Sequence, residues 1–180
     1  MGSKYVDVTS ILQVIGCVYN NPSLLDLEDE YTITEEDFPD EFHKVVFGSI
    51  YKIHELGSKT INLKLISDFL EERPKSAGIY KSNDGEKWLT KTADNSNALT
   101  FDYYYGRLKK MTLLRMYDNY GIDVTDIYDP DNVLDVKKKQ LQEDLLDSSS
   151  LEDIADKVDA KIDKIRLKYV NDNDVETAQA

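Results

Sequence analysis

Residues 98–120 read ALTFDYYYGRLKKMTLLRMYDNY, and their spacing decides the architecture. Phe101, Tyr104, Tyr105, Leu108, Met111 and Arg115 recur at three- and four-residue steps, the helical period. Leu113, Leu114, Met116, Tyr117 and Tyr120 fall on other faces of the same helix. A helix that is apolar around much of its girth must be covered on more than one side. One side can pack on the chain before it, and the other needs a second helix or a second subunit. The spacing therefore predicts an all-α protein in two parts: a compact helical head over residues 1–98 and a helical hairpin and linker over 99–170. Residues 171–180 carry no periodicity and read as a flexible connector.

Toward the N-terminus the same logic places a helix over Val8–Asn20, ended by Asn21-Pro22, with Pro22 opening a short second helix to Leu27. Residues 28–37 form an acidic connector. Asp40–Leu56 is strongly amphipathic: Phe42, Val46, Ile50 and Ile53 share one face, and Gly57 stands where a C-terminal glycine belongs. Asn62 caps Leu63–Glu72, which Arg73-Pro74 stops. The stretch 75–97 is weakly patterned, with Trp88-Leu89 anchoring a short helix and Thr92–Asn97 expected as a polar loop. Toward the C-terminus, Asp129-Pro130 looks like a cap followed by a first-turn proline, so a helix is expected over Pro130–Asp147. Ser150-x-x-Asp153 has the capping-box pattern and opens a helix to about Val170. Leu151, Ile154, Val158, Ile162, Ile165 and Tyr169 form a narrow seam there, as in paired helices.

Composition removes several function classes. The net charge is −13, divided as −4 over residues 1–117 and −9 over 118–180. Binding nucleic acid requires a basic stripe to displace counterions, and none is present, so direct contact with DNA or RNA is not expected. Acidic membranes are disfavoured on the same ground. The apolar run around Cys17 is too short to span a bilayer, and no basic segment precedes it as in a signal peptide, so a cytoplasmic protein is expected. Cys17 is the only cysteine and reads as a buried, inert thiol.

Catalytic patterns are missing too. Gly57-Ser58-Lys59-Thr60 lacks the Gly-Lys pair of a phosphate loop, so no nucleotide is expected on this chain. His43 and His54 would lie about 16 Å apart along one helix, too far to share a metal ion. The Asp129/Asp131 and Asp172/Asp174 pairs lack the glycine and terminal glutamate of a calcium loop. No catalytic, cofactor or metal residue is therefore assigned. Tyrosine is the enriched type, with twelve in the chain, and its rigid ring with a polar tip is a favoured interface anchor. Three are consecutive at 103–105, so they point around the helix and at least one, Tyr103, should face outward.

The order of these segments resembles the N-terminal region of DnaB-type replicative helicases, in Firmicute or phage-borne form. Ser10–Asp26, ending Asn21-Pro22-Ser23-Leu24-Leu25-Asp26, is similar to that family's opening helix and "x-Pro-x-Leu-Leu-Asp" turn. Glu36-Asp37-Phe38 followed by Phe42–Ile50 resembles its "acid-Asp-Phe…His-x-x-Ile/Val-Phe" segment. Glu55-Leu56-Gly57 with Ile61-Asn62-Leu63, and Ala98–Arg107, are similar to the turn and the hairpin entry that follow. Asp123–Asn132 and Ser150–Val170 look like the hairpin and linker, and Val175–Ala180 like the lead-in to the ATPase domain. Residues 75–97 fit only loosely. The family's motor has no counterpart in these residues, so ATP and magnesium would belong to a segment outside them.

The resemblance implies a non-catalytic collar module that forms dimers or rings and docks primase or a helicase loader. Tyr103, Tyr117, Ile127, Tyr128, Leu141 and Leu145 are the expected interface residues. A stand-alone loader or replication regulator that binds helicase or primase is the alternative.

Overall fold

The computed structural model describes residues 4–132 and 134–171; the expected connector at 172–180 lies outside the described residues. The chain is all-α, with eight helices and no strand among the described residues. It divides into two compact units, residues 1–112 and 113–180, with the division falling inside the long sixth helix.

In the first unit, α1 (Val8–Asn20) starts at Asp7, whose carboxylate accepts the Ser10 N–H. Pro22–Asp26 forms a tight 3₁₀ turn, and a second such turn, Glu35–Asp37, is closed by a reciprocal Thr34/Asp37 capping box. α2 (Glu41–Glu55) is capped by Asp40, and the chain leaves it through Gly57 at φ +108°, a left-handed conformation that favours glycine. α3 (Leu63–Glu71) is capped by the Asn62 side chain. The core is built from Ile11, Val14, Ile15 and Val18 of α1, Val46, Phe47 and Ile50 of α2, and Ile66 of α3, closed by Phe38 against Phe47 at 4.9 Å between ring centroids.

The weakly patterned segment holds two helices instead of one: α4 (Pro74–Ser82), opened by Pro74, and α5 (Gly85–Asp94). The loop expected over Thr92–Asn97 is confined to residues 95–97, because α5 runs on to Asp94 and buries Thr92 and Ala93. The reason is tertiary. α4 buries only Tyr80 and shows little apolar period, while α5 buries Leu89 with the small residues Gly85, Thr92 and Ala93, a face that does not stand out as a run of large apolar side chains. α5 packs on α1, where Gly16 has Thr92 O and Ser96 Cβ each 2.7 Å from the position of an absent Cβ. Gln13 fastens the end of this contact by donating to Asn95 O and accepting from Asn97 N–H.

α6 (Phe101–Asn119) buries Phe101, Leu108, Met111 and Arg115, the face that the spacing predicts. Two ion pairs hold its first-unit portion: Arg107 to Asp7, and Lys109 to the fully buried Asp37.

In the second unit the chain turns at Gly121 (φ +80°) and reaches α7 (Val136–Ser148) and α8 (Leu151–Arg166), which continues as a wider π turn over Leu167–Asn171. α7 begins at Val136, capped by Asp135, and not at Pro130. Asp129 spends its side chain on a local turn, accepting the Asp131 N–H at 3.0 Å, and that competes with helix initiation. Gln142 of α7 then fixes this turn by accepting from Asp129 N–H and donating to Asp129 O. The Ser150/Asp153 capping box forms as read.

The two histidines of α2 titrate in opposite senses. His43 stacks between Phe42 and Trp88, and its Nδ1 has no hydrogen-bond partner among the described residues. Burial pushes its pKa below 6.5, against a smaller upward pull from Asp40. Folding thus favours the neutral ring: its contribution is full above pH 6.5 and declines as the pH falls from there toward the folded value. His54 is hydrogen-bonded to Asp26 at 2.8 Å, which raises its pKa, so its contribution is full below pH 6.5 and is lost as the pH rises through the folded value. A His43→Phe chain, keeping the ring stack, should lose less thermal stability than the parent on acidification from about pH 7 to about pH 5.5. Equal losses in melts followed by circular dichroism would refute that assignment.

Candidate association surface

The buried charge of the first unit is structural. Asp37 is 0% exposed and accepts from Lys109 Nζ at 3.0 and 3.1 Å, from Thr112 Oγ1 at 2.7 Å and from the Thr34 N–H at 2.9 Å. Its acceptor sites are all engaged in tying the Glu35–Asp37 turn to α6. Burial raises the Cys17 thiol pKa, which suits a packing residue and not a nucleophile. No group of three metal-ligating side chains occurs among the described residues. No described helix is long and apolar enough to cross a membrane.

What stands out is exposed apolar surface on the second unit. Its interior takes Leu114, Val124, Leu146, Ile154 and Val158, all nearly or fully buried. The α8 seam is therefore divided. Ile154 and Val158 are covered, while Leu151 before them is exposed and Ile162, Ile165 and Tyr169 continue the same three- and four-residue steps into solvent, Ile165 being 60% exposed. On α7, Leu141 and Leu145 are one turn apart on one face and stand 65% and 51% exposed. Val136 and Leu134 are exposed near the start of that helix. Acidic and basic residues border the α8 stripe, among them Asp159, Lys161, Asp163 and Lys164. Lys161 is already engaged, with the Asp123 carbonyl at 3.0 Å and with the Asp126 carboxylate.

The expected interface residues separate by burial. Tyr103 is exposed and sits edge-on to Tyr104, while Tyr104 and Tyr105 are half-buried. Tyr105 accepts the Thr32 N–H and packs edge-on to Tyr31, whose hydroxyl is bonded to Asp102. Of the three tyrosines, Tyr105 therefore fastens the acidic connector to α6, helped by the Tyr31–Asp102 bond. Tyr117 and Ile127 are half-buried in the second unit, and Leu141 and Leu145 are exposed there. Tyr128 is buried within the unit and donates to Glu143 Oε1 at 2.5 Å, so it holds the loop after α6 to α7. Ile162, Ile165 and Tyr169 were not among the expected interface residues. Their signal was in the sequence as the second half of the α8 seam, which gave no hint that Ile154 and Val158 alone would be covered.

Comparison with known proteins bears on the whole chain. The SPbeta prophage-derived uncharacterized protein YorI of Bacillus subtilis (strain 168) is 31% identical over 163 residues, 91% of this chain and 32% of that protein. The aligned length exceeds the first unit, so the similarity reaches into the second. The chain spans about a third of the length of this curated relative. No solved structure matches. The family model of the DnaB-like helicase N-terminal domain matches residues 12–110, more than half of the chain and nearly all of the first unit. With the all-α head, the hairpin-entry helix and the order of segments all in place, this chain belongs to the DnaB-like helicase N-terminal domain family.

Proposed function

We propose that this chain is a non-catalytic association and docking module of a longer replicative helicase, pairing with copies of itself and receiving primase or a loader in the cytoplasm. The observation that carries the reading is the exposed apolar residues of the second unit, Leu141 and Leu145 on one face of α7, and Ile162, Ile165 and Tyr169 along the α8 seam. Exposed aliphatic and aromatic anchors in a charged rim are the usual make-up of a protein interface. The family membership and a relative about three times as long support a role within a larger protein. In this reading residues 1–98 are the head, 99–170 the hairpin and linker, and 171–180 the lead-in to a motor, where ATP and magnesium would act. Tyr117 and Ile127 extend the contact surface of the second unit and Tyr128 supports it from inside, while Tyr103 offers a contact of its own on the first unit.

Light scattering on the whole chain tests this directly. The parent should give the mass of a dimer or larger ring, and a Tyr117→Asp/Leu141→Asp chain should associate at least about tenfold more weakly, since a charge in an apolar contact costs more than about 1.4 kcal/mol. Helicity by circular dichroism should stay unchanged. An unaltered mass with unaltered helicity sinks the assignment. Extending the gene reading past Ala180 separates the alternative: a downstream Gly-x-x-x-x-Gly-Lys-Ser/Thr supports the helicase module, and an immediate stop codon the stand-alone regulator.

A further inference from the structure

α3, α4 and α5 of the head enclose a cleft of about 360 Å³ that plays no part in the association surface. Its lining includes Glu71 of α3, Tyr80 and Lys81 of α4, Asp84 of the connecting turn, and Gly85 and Glu86 of α5. Tyr80 is only 5% exposed, and its hydroxyl has no hydrogen-bond partner among the described residues. A buried hydroxyl without a partner is costly, so a fold that keeps one calls for a group to meet it. The backbone is shaped around this ring. Asp84 adopts a left-handed conformation at φ +54°, and a Cβ on Gly85 would lie 2.3 Å from the Tyr80 ring.

The charges around the cleft select the ligand. Glu71, Asp84 and Glu86 are exposed carboxylates, and none makes an ion pair among the described residues, against a single cation, Lys81. Burial and the Glu86 charge raise the Tyr80 phenol pKa to about 12, so it stays neutral and its oxygen remains an acceptor. Phosphates and carboxylates are repelled by such a rim. A guanidinium suits it: its planar fork of donors can reach a carboxylate and the phenol oxygen together, and it can lie on an aromatic ring. The net charge of −13 also attracts basic partners at long range.

We propose that this cleft receives an arginine side chain presented by a partner protein, bound between the Glu86 carboxylate and the Tyr80 hydroxyl. The site lies wholly in the first unit, so its test is independent of self-association through α7 and α8. The isotopically labelled full chain would be titrated with N-acetyl-arginine amide and, as a neutral isostere, N-acetyl-citrulline amide, following backbone amide resonances. Saturable shifts centred on residues 80–86 with the arginine probe alone are expected. Tyr80→Phe and Glu86→Gln should each weaken binding about tenfold, the size of one charge-assisted hydrogen bond. Glu86 is exposed, so its variant folds even if Tyr80→Phe does not. Equal shifts with citrulline, non-saturating shifts scattered over acidic surface, unchanged binding by the Glu86→Gln chain, or equally tight binding of spermidine would overturn the proposal.

Discussion

Lys109→Met is expected to destabilise the first unit by about 3 kcal/mol, the lower end of the range for removing one partner of a buried ion pair. Asp37 is fully buried, and Lys109 supplies the cation that meets both of its oxygens. Removing that cation leaves a carboxylate that keeps only Thr112 and the Thr34 N–H as donors. Lys109 retains some solvent contact, which is why the lower end applies. In urea titrations followed by the fluorescence of Trp88, the only tryptophan and a residue of the first unit, the midpoint should fall without a change in slope. The thermal midpoint should drop by roughly 10 °C or more, given the size of the unit. An Asp37→Asn/Lys109→Met chain should recover part of the loss, because no unpaired buried charge remains. A loss below about 0.5 kcal/mol for Lys109→Met would mean that solvent already screens the pair.

The same substitution at two glycines is expected to act with opposite signs. Gly16→Ala places a methyl 2.7 Å from the Thr92 carbonyl oxygen and 2.7 Å from Ser96 Cβ, so α1 and α5 must separate. The intrinsic helix gain of about 1 kcal/mol is outweighed by overpacking of about 1–3 kcal/mol or more where backbone is the obstacle, giving a net loss near 2 kcal/mol. Gly78→Ala, in the middle of exposed α4 with nothing within 4 Å, should instead stabilise by about 0.5–1 kcal/mol. The same urea titrations give both values. Stabilisation by both substitutions would show that α1 and α5 are not in tight contact.

The residues that made the fold legible are those whose effect is local. Asn62 and Ser150 cap helices as their patterns say, because a short polar side chain reaches the free N–H groups of the first turn, and that depends on a few neighbours only. Asp7 and Asp40 cap α1 and α2 in the same way, though neither was read as a cap. The apolar faces of α1, α2 and α6 could be read for a similar reason: each buries a broad stripe, so period and burial coincide. The capping pattern misled at Asp129-Pro130, where the carboxylate closes a turn of its own and Gln142 pins it from α7.

The candidate surface was half legible. The α8 seam announced itself by spacing, but a seam looks the same whether an intramolecular helix covers it or nothing does. Folding decided that Ile154 and Val158 are inside and that Ile162, Ile165 and Tyr169 are not.

Sequence alone, then, determined the helical class, the helix starts at Asn62 and Ser150, the family and the absence of a basic stripe, because these follow from local chemistry and composition. Only the tertiary structure decided that α4 and α5 are two helices, that Asp37 is the buried anchor of α6, and that Tyr80 lies unpartnered beside an acidic cleft. For Asp37 the physical reason is that its partners Lys109 and Thr112 lie tens of residues away, and for α4, α5 and Tyr80 it is packing on α1, α2 and α3, earlier in the chain. No local pattern encodes which distant side chain will arrive.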